Sequence, residues 1–236
     1  MSLKIKKSLT IDATLYSATY VSLIKSNKHK YKMTQTDQFD LVYKLMLIGT
    51  IQVFFIGGIF FFNGLSFKLY NSTPLQITLF FTTLLLHLGN LGAFRSGLYM
   101  MKYSLCHPEE FTHPNLAFFI GFMYMQILVV SEWVNIMKGT EKKKPQDLIT
   151  SYIGFKVITE LPKIYLGSIS DLPIKAAVGK LTATKGRKDP LNEGKVNWFL
   201  TLIYCSSKWF YHSFYFYFMP FMVIYLPLVV LLFDKE

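Results

Sequence analysis

Apolar residues fall along this chain in long runs, without the strict alternation of a half-buried strand. Four runs approach or exceed the roughly 20 helical residues needed to cross a hydrocarbon core of about 30 Å. They cover residues 41–62 (LVYKLMLIGTIQVFFIGGIFFF), about 75–100, about 116–137 and about 211–233, the last with residues 198–210 as an aromatic lead-in. The one charge in the first run, Lys44, lies near its end, where it can snorkel to the interface. Lipid offers no partner to backbone groups, so runs of this length predict helices. A transmembrane barrel would show short alternating segments instead. The expected fold is all-α: a polytopic helical membrane protein with four transmembrane helices plus an amphipathic interfacial helix at about 147–169.

The polar stretches divide the chain further. Residues 1–40 form a polar, Lys-rich segment without an apolar core of secretory-signal length. Within it, Asp12–Ile24 is mildly amphipathic and predicts a helix lying in the interface. The acid-poor start also resembles an organelle-import sequence, although such sequences prefer Arg. Residues 41–137 are a three-helix transmembrane region, and 138–197 a basic loop carrying the interfacial helix. Residues 198–236 form a C-terminal aromatic transmembrane helix. The basic loop opens on Lys142, Lys143, Lys144 and Pro145, and closes on Lys185, Gly186, Arg187, Lys188, Asp189 and Pro190. Between them, 147–169 carries Lys156, Glu160 and Lys163, with Pro162 expected to break it. Three central charges make a lipid-exposed span costly, which favours the interfacial position. A re-entrant segment or fifth span is the alternative. A fifth span would return the basic stretch 175–195 to the N-terminal side, as the positive-inside tendency prefers.

Composition supports the membrane assignment. Hydrophobic residues make up 52%, with charged residues at 17% against about 25% in soluble chains. Mean hydropathy is +0.32. Disordered chains, disulfide scaffolds and ordinary cytosolic enzymes are thereby excluded. A net charge of +11 could suggest nucleic acid, but only Arg95 and Arg187 are arginines. Phosphate and base recognition favours the guanidinium fork. Lysines at membrane flanks fit anionic headgroups, with Lys142, Lys143, Lys144, Lys185, Arg187 and Lys188 as candidate contacts, and no nucleic-acid partner is expected.

Candidate chemistry is sparse. On the second run, Gly89, Gly92, Ala93, Ser96 and Gly97 form overlapping small-xxx-small pairs that favour close helix packing. His87 and Asn90 share that helix, and Glu132 and Asn135 share the next. Intramembrane ionisable groups normally face protein or water and find partners. At about 1.5 Å per residue, Arg95 lies about 7 Å from the Met100 end of its helix. Glu132 lies about 24 Å from the same face and His87 about 20 Å. Glu132 is therefore expected to meet His87, while Arg95 reaches headgroups or the following loop. The polar cluster reads as interhelical glue, with a proton or cation path as the functional alternative.

Other signals are weaker. Cys106, His107, Glu109, Glu110 and His113 gather metal-capable groups, but without the paired spacing of a zinc site, and read as a polar turn. Cys106 and Cys205 are expected near opposite faces, which argues against a disulfide. Asn71-Ser72-Thr73 matches a glycosylation acceptor, opposed by the short loop and by Pro74. Pro220 and Pro227 predict a bent last helix. Its aromatics suit an interfacial belt, or walls for a lipid or planar pigment. No phosphate-binding, dinucleotide, hydrolase, metalloprotease or kinase motif occurs, so no catalytic residues are expected. No cofactor or metal is expected, while bound lipids are.

The segments HPEEFTHPNLAFFIGFMYMQ (107–126), SEWVNIM (131–137), DLITSYIGFKVITELPKIYLGSI (147–169) and LPIKAAVGKL (172–181) resemble a block in uncharacterised multi-pass membrane proteins abundant in ciliates. The likeness covers roughly residues 80–181. Its most specific parts are Glu132-Trp133-Val134-Asn135 and the run from Ile158 to Tyr165. It implies an ordered, membrane-associated element at 147–169 and no catalytic role. Together these features predict a non-enzymatic subunit of a larger membrane complex, partnered by other membrane subunits and anionic lipids. A channel or transporter subunit is the first alternative, and a binder of a hydrophobic ligand, lipid or pigment the second. The expected location is an integral position in an endomembrane, plasma membrane or mitochondrial inner membrane.

Overall fold

A computed structural model describes residues 11–25, 34–63, 73–169 and 197–225. Its helices are α1 (Leu15–Ser22), α2 (Gln35–Asn63), α3 (Thr73–Cys106), α4 (Pro114–Gly139), α5 (Pro145–Ser168) and α6 (Trp198–Phe210). Among the described residues the extended backbone contact is a single bridge between Ile24 and Phe111. The helix starts follow local chemistry. Thr34 and Asp37 cap α2 reciprocally, each side chain accepting the other's backbone N–H at 3.2 Å. Proline opens α4 and α5, where its missing N–H costs nothing.

Among the described residues three helices are long and apolar enough to cross a membrane: Gln35–Ile59, Thr73–Cys106 and Pro114–Gly139. They match the first three expected runs, with α3 reaching six residues beyond the expected end. Burial grades them, from 22% of the most apolar window in the first to 61% in the third. The first therefore keeps most of its surface for lipid or a partner, whereas α4 is a core element.

The expected fourth span differs. Its lead-in, 198–210, is the regular helix α6. The expected span itself begins on a wide π turn, Tyr211–Tyr215, in which the Phe216 N–H reaches back five residues to the Tyr211 carbonyl at 3.0 Å. A tight turn over Met219–Phe221 then holds Pro220, the site of the expected bend. Pro227 and the rest of the run lie outside the described residues. In α5 the expected break at Pro162 is absent, since the helix continues to Ser168.

The chain divides into two compact units. The first comprises 1–49, 93–125 and 161–206. At its centre is α1, all eight of whose residues are buried. The expected interfacial helix is thus a core element. It can be buried because its hydroxyls satisfy backbone groups. Thr14 accepts the Ser17 N–H at 3.3 Å, Thr19 donates to the Leu15 carbonyl at 2.8 Å, and Ser22 donates to the Thr19 carbonyl at 2.6 Å. Tyr20 donates to the Met100 carbonyl at 2.9 Å, and burial pushes its hydroxyl well above its ordinary pKa. Beyond α1, residues 23–25 clasp the turn after α3. Thr112 N–H donates to the Leu23 carbonyl at 2.9 Å, and Lys25 N–H to the Glu110 carbonyl at 2.7 Å.

Also in this unit, α3 and α4 meet backbone to backbone. A methyl on Gly97 would lie 2.9 Å from the Gly121 carbonyl oxygen. Met101, Leu105, Phe118, Leu200 and Tyr204 form an apolar cluster beside that contact. Leu105 and Tyr204 share this cluster, which brings the adjoining Cys106 and Cys205 nearer to each other than the opposite faces expected for them. Neither cysteine is in a disulfide.

The second unit comprises 50–92, 126–160 and 207–236. Here a methyl on Gly139 would overlap Leu79 and approach Leu148 at 3.5 Å, so α3, α4 and the start of α5 converge. Gln52, 1% exposed, donates its amide to the Ile158 carbonyl at 2.7 Å. That carbonyl lies four residues before Pro162, which has no N–H to offer it. Gln52 replaces the missing helical bond, which explains how α5 passes through its proline. Lys156 lies across the bare backbone of Gly89 and pairs with Glu160 at 3.0 Å.

Candidate functional site

On α3, Leu79, Thr83, His87 and Asn90 recur at helical spacing and form one stripe. On α4, Glu132, Asn135 and Gly139 form the facing one. The stripes run antiparallel, with Leu79 against Gly139 and His87 against Glu132. Side chains near the middle of both helices are thereby forced together.

Glu132 is fully buried and is the centre of the site. Its Oε2 lies 3.0 Å from His87 Nδ1. Its Oε1 accepts from Asn90 Nδ2 at 2.9 Å and from the Tyr215 hydroxyl at 2.6 Å. His87 and Asn90 are 1% and 2% exposed, and Tyr215 is fully buried. The His87 and Tyr215 rings pack at 4.7 Å with 52° between planes. The π turn contributes to this placement. One extra residue in a helical turn rotates the next part of the helix by about 100°, and here the turn ends on Tyr215.

An isolated carboxylate in such surroundings would be prohibitively costly. Three converging hydrogen-bonding groups remove that cost, because charge-assisted bonds are the strong ones. An ionised carboxylate only accepts, so with Glu132 in that form His87 carries a proton on Nδ1. The expected meeting of Glu132 and His87 is present, and Asn90 joins it. Asn135 does not reach Glu132: it is 2% exposed, and its Nδ2 has no hydrogen-bond partner among the described residues. The same holds for Thr83 Oγ1 and His87 Nε2.

The other expected residues scatter. Arg95 is exposed and takes no part in the Glu132 set. Of the small residues, Gly97 makes the close backbone approach. Ala93 and Ser96 are buried, and Ser96 Oγ accepts the Asp12 N–H at 3.2 Å. At Gly92 a methyl would touch nothing within 4 Å, so this glycine makes no close helix contact among the described residues. Gly89 meets a flexible lysine tip rather than a backbone. Small size permits close approach but does not choose the face, and Gly92 is on an exposed one. Lys142 is half-buried, and Lys143 and Lys144 are exposed. Lys185, Arg187, Lys188 and Asn71 lie outside the described residues. The turn after α3 is a tight helical turn over Pro108–Glu110. No group of three metal-capable side chains gathers among the described residues.

Two contributors escape a reading of the sequence. Tyr215 lies in an aromatic run with nothing to separate it from Tyr211 or Tyr217. Gln52 does carry a signal: a lone amide inside one apolar run, with a proline inside another segment. No family model, curated protein or solved structure matches the chain.

Proposed function

We propose that this chain is a non-enzymatic subunit of a larger membrane complex, with α5 as a fifth, partly polar crossing. The observation that carries this reading is the charged stripe of α5. Lys156, Glu160 and Lys163 share one helical face. The Lys156 and Glu160 side chains are 25% and 41% exposed, and Lys163 is exposed. The same helix is tied to α2 through Gln52 and to α3 through Lys156, contacts that a helix lying apart in the headgroups would not make. Charges facing hydrocarbon cost several kcal/mol, so a neighbouring subunit or an aqueous interface is expected to cover this face. Counting α5 as a crossing also puts residues 1–40 and the basic stretch 175–195 on one side, as the positive-inside tendency favours.

Native mass spectrometry of the protein extracted in nanodiscs tests the subunit reading. The expected result is a homo- or hetero-oligomer that replacement of Lys156, Glu160 and Lys163 by Leu disperses. A stable monomer carrying only lipid would sink it. In a chain lacking Cys106 and Cys205, single cysteines at Ser8 and Thr184 should label from the same side; opposite sides would restore the interfacial position of α5.

A channel or transporter role is the second reading, favoured by the unpartnered His87 Nε2 beside a buried acid. Conductance or uptake in proteoliposomes that Glu132→Gln leaves unchanged would argue against it.

A further inference from the structure

Three buried side-chain atoms stand without hydrogen-bond partners among the described residues: Thr83 Oγ1, His87 Nε2 and Asn135 Nδ2. They are not scattered. One residue forward on α3 corresponds to one residue back on α4. Thr83 is midway between Leu79 and His87, so it falls opposite residue 135, midway between Gly139 and Glu132. Thr83 and His87 are one turn apart on one face, and Asn135 is one turn from Glu132. All three residues are nearly inaccessible, at 1%, 1% and 2%. A buried polar atom left unpaired costs about 1–3 kcal/mol, and three within one helical turn of each other call for a shared partner.

The chemistry of the three atoms selects that partner. With the His87 proton on Nδ1, facing Glu132, Nε2 is an acceptor. Asn135 Nδ2 is a donor only, and the Thr83 hydroxyl serves either way. The occupant must donate to one atom and accept from at least one other. A metal cation would find one oxygen ligand here and is unsuited. An anion would need a doubly protonated His87 and would lie beside the Glu132 carboxyl. Water satisfies all three groups, and buried waters typically make about three such bonds.

We propose that Thr83, His87 and Asn135 form a binding site for an ordered internal water. That water extends the Glu132 network from Asn90 and Tyr215, through the imidazole, to the next turn of both helices. It gives the outer nitrogen of His87 a proton-exchanging neighbour, whatever larger assembly the chain joins.

Solid-state NMR on the full chain in lipid vesicles, labelled with nitrogen-15 at histidine, tests this. His87 is assigned by the signal missing in His87→Gln. The expected result is magnetisation transfer from water protons to Nε2, with Nδ1 the protonated nitrogen. The transfer should be lost in the isosteric Thr83→Val and in Asn135→Leu, while Nδ1 keeps its coupling to Glu132, which shows that the variants fold. Absence of transfer in the natural protein overturns the site, as does transfer that both variants leave unchanged. A doubly protonated ring that responds to exchange of chloride for bromide would assign the site to an anion and also overturn it.

Discussion

The same two helices, α3 and α4, are held together by opposite means in the two units. In the first unit Gly97 and Gly121 bring backbones into contact, and the attraction is dispersion between surfaces that fit. In the second, Glu132 gathers His87, Asn90 and Tyr215 by hydrogen bonds. Lipid tails are as apolar as leucine, so apolar surface alone gives helices no reason to meet in a bilayer. Close fit and polarity are the two remedies, and they fail differently. The glycine contact tolerates no added atom. The polar set tolerates no lost acceptor.

The largest expected effect comes from removing the acceptor. Glu132→Ala strands three buried polar groups and should cost about 3–5 kcal/mol, read as a lowered thermal unfolding midpoint in nanodiscs. Glu132→Gln keeps one oxygen for two donors and should cost clearly less; equal losses would show that charge rather than hydrogen bonding holds the set. Next, Gly121→Ala drives a methyl to 2.9 Å from the Gly97 carbonyl and should cost about 1–3 kcal/mol in the same assay. Tolerance of alanine would remove the close-fit half of the comparison. Tyr215→Phe deletes one of three contacts to the carboxyl, and a loss of about 1–1.5 kcal/mol is expected. Gln52→Leu should cost about 1 kcal/mol, and little in a Pro162→Ala background, where residue 162 can bond the Ile158 carbonyl itself. Additive losses would show that Gln52 acts elsewhere. Smallest of all, Gly92→Ala should leave the midpoint unchanged or raise stability by up to about 1 kcal/mol through helix propensity.

How far the sequence reveals this arrangement depends on the kind of signal. Unbroken apolar length marks α2, α3 and α4, because crossing a bilayer sets a minimum that few other structures need. Depth counting pairs His87 with Glu132, because helical rise is constant. It gives no rotation about the axis, so spacing assigns the close contact to Gly92 and Gly97 alike, and of these two Gly97 makes it. In α1 the opposite error arises. Its Ser, Thr and Tyr residues look like an exposed surface, yet their hydroxyls bond carbonyls at close range and the helix is buried. Tyr215 depends on a π turn, which leaves no mark in an aromatic run.

The Gln52 bond to Ile158 also bears on how the chain is made. On the five-crossing reading, α5 is a segment that the insertion machinery would handle badly alone: Lys156, Glu160 and Lys163 oppose partitioning, and Pro162 strips a carbonyl of its partner. The amide that supplies the missing bond is on α2, synthesised about a hundred residues earlier. Entry of α5 is then a late step, completed against a helix already in the bilayer. Chains carrying Gln52→Leu should accumulate, during synthesis, as a species with residues 145–168 still open to protease.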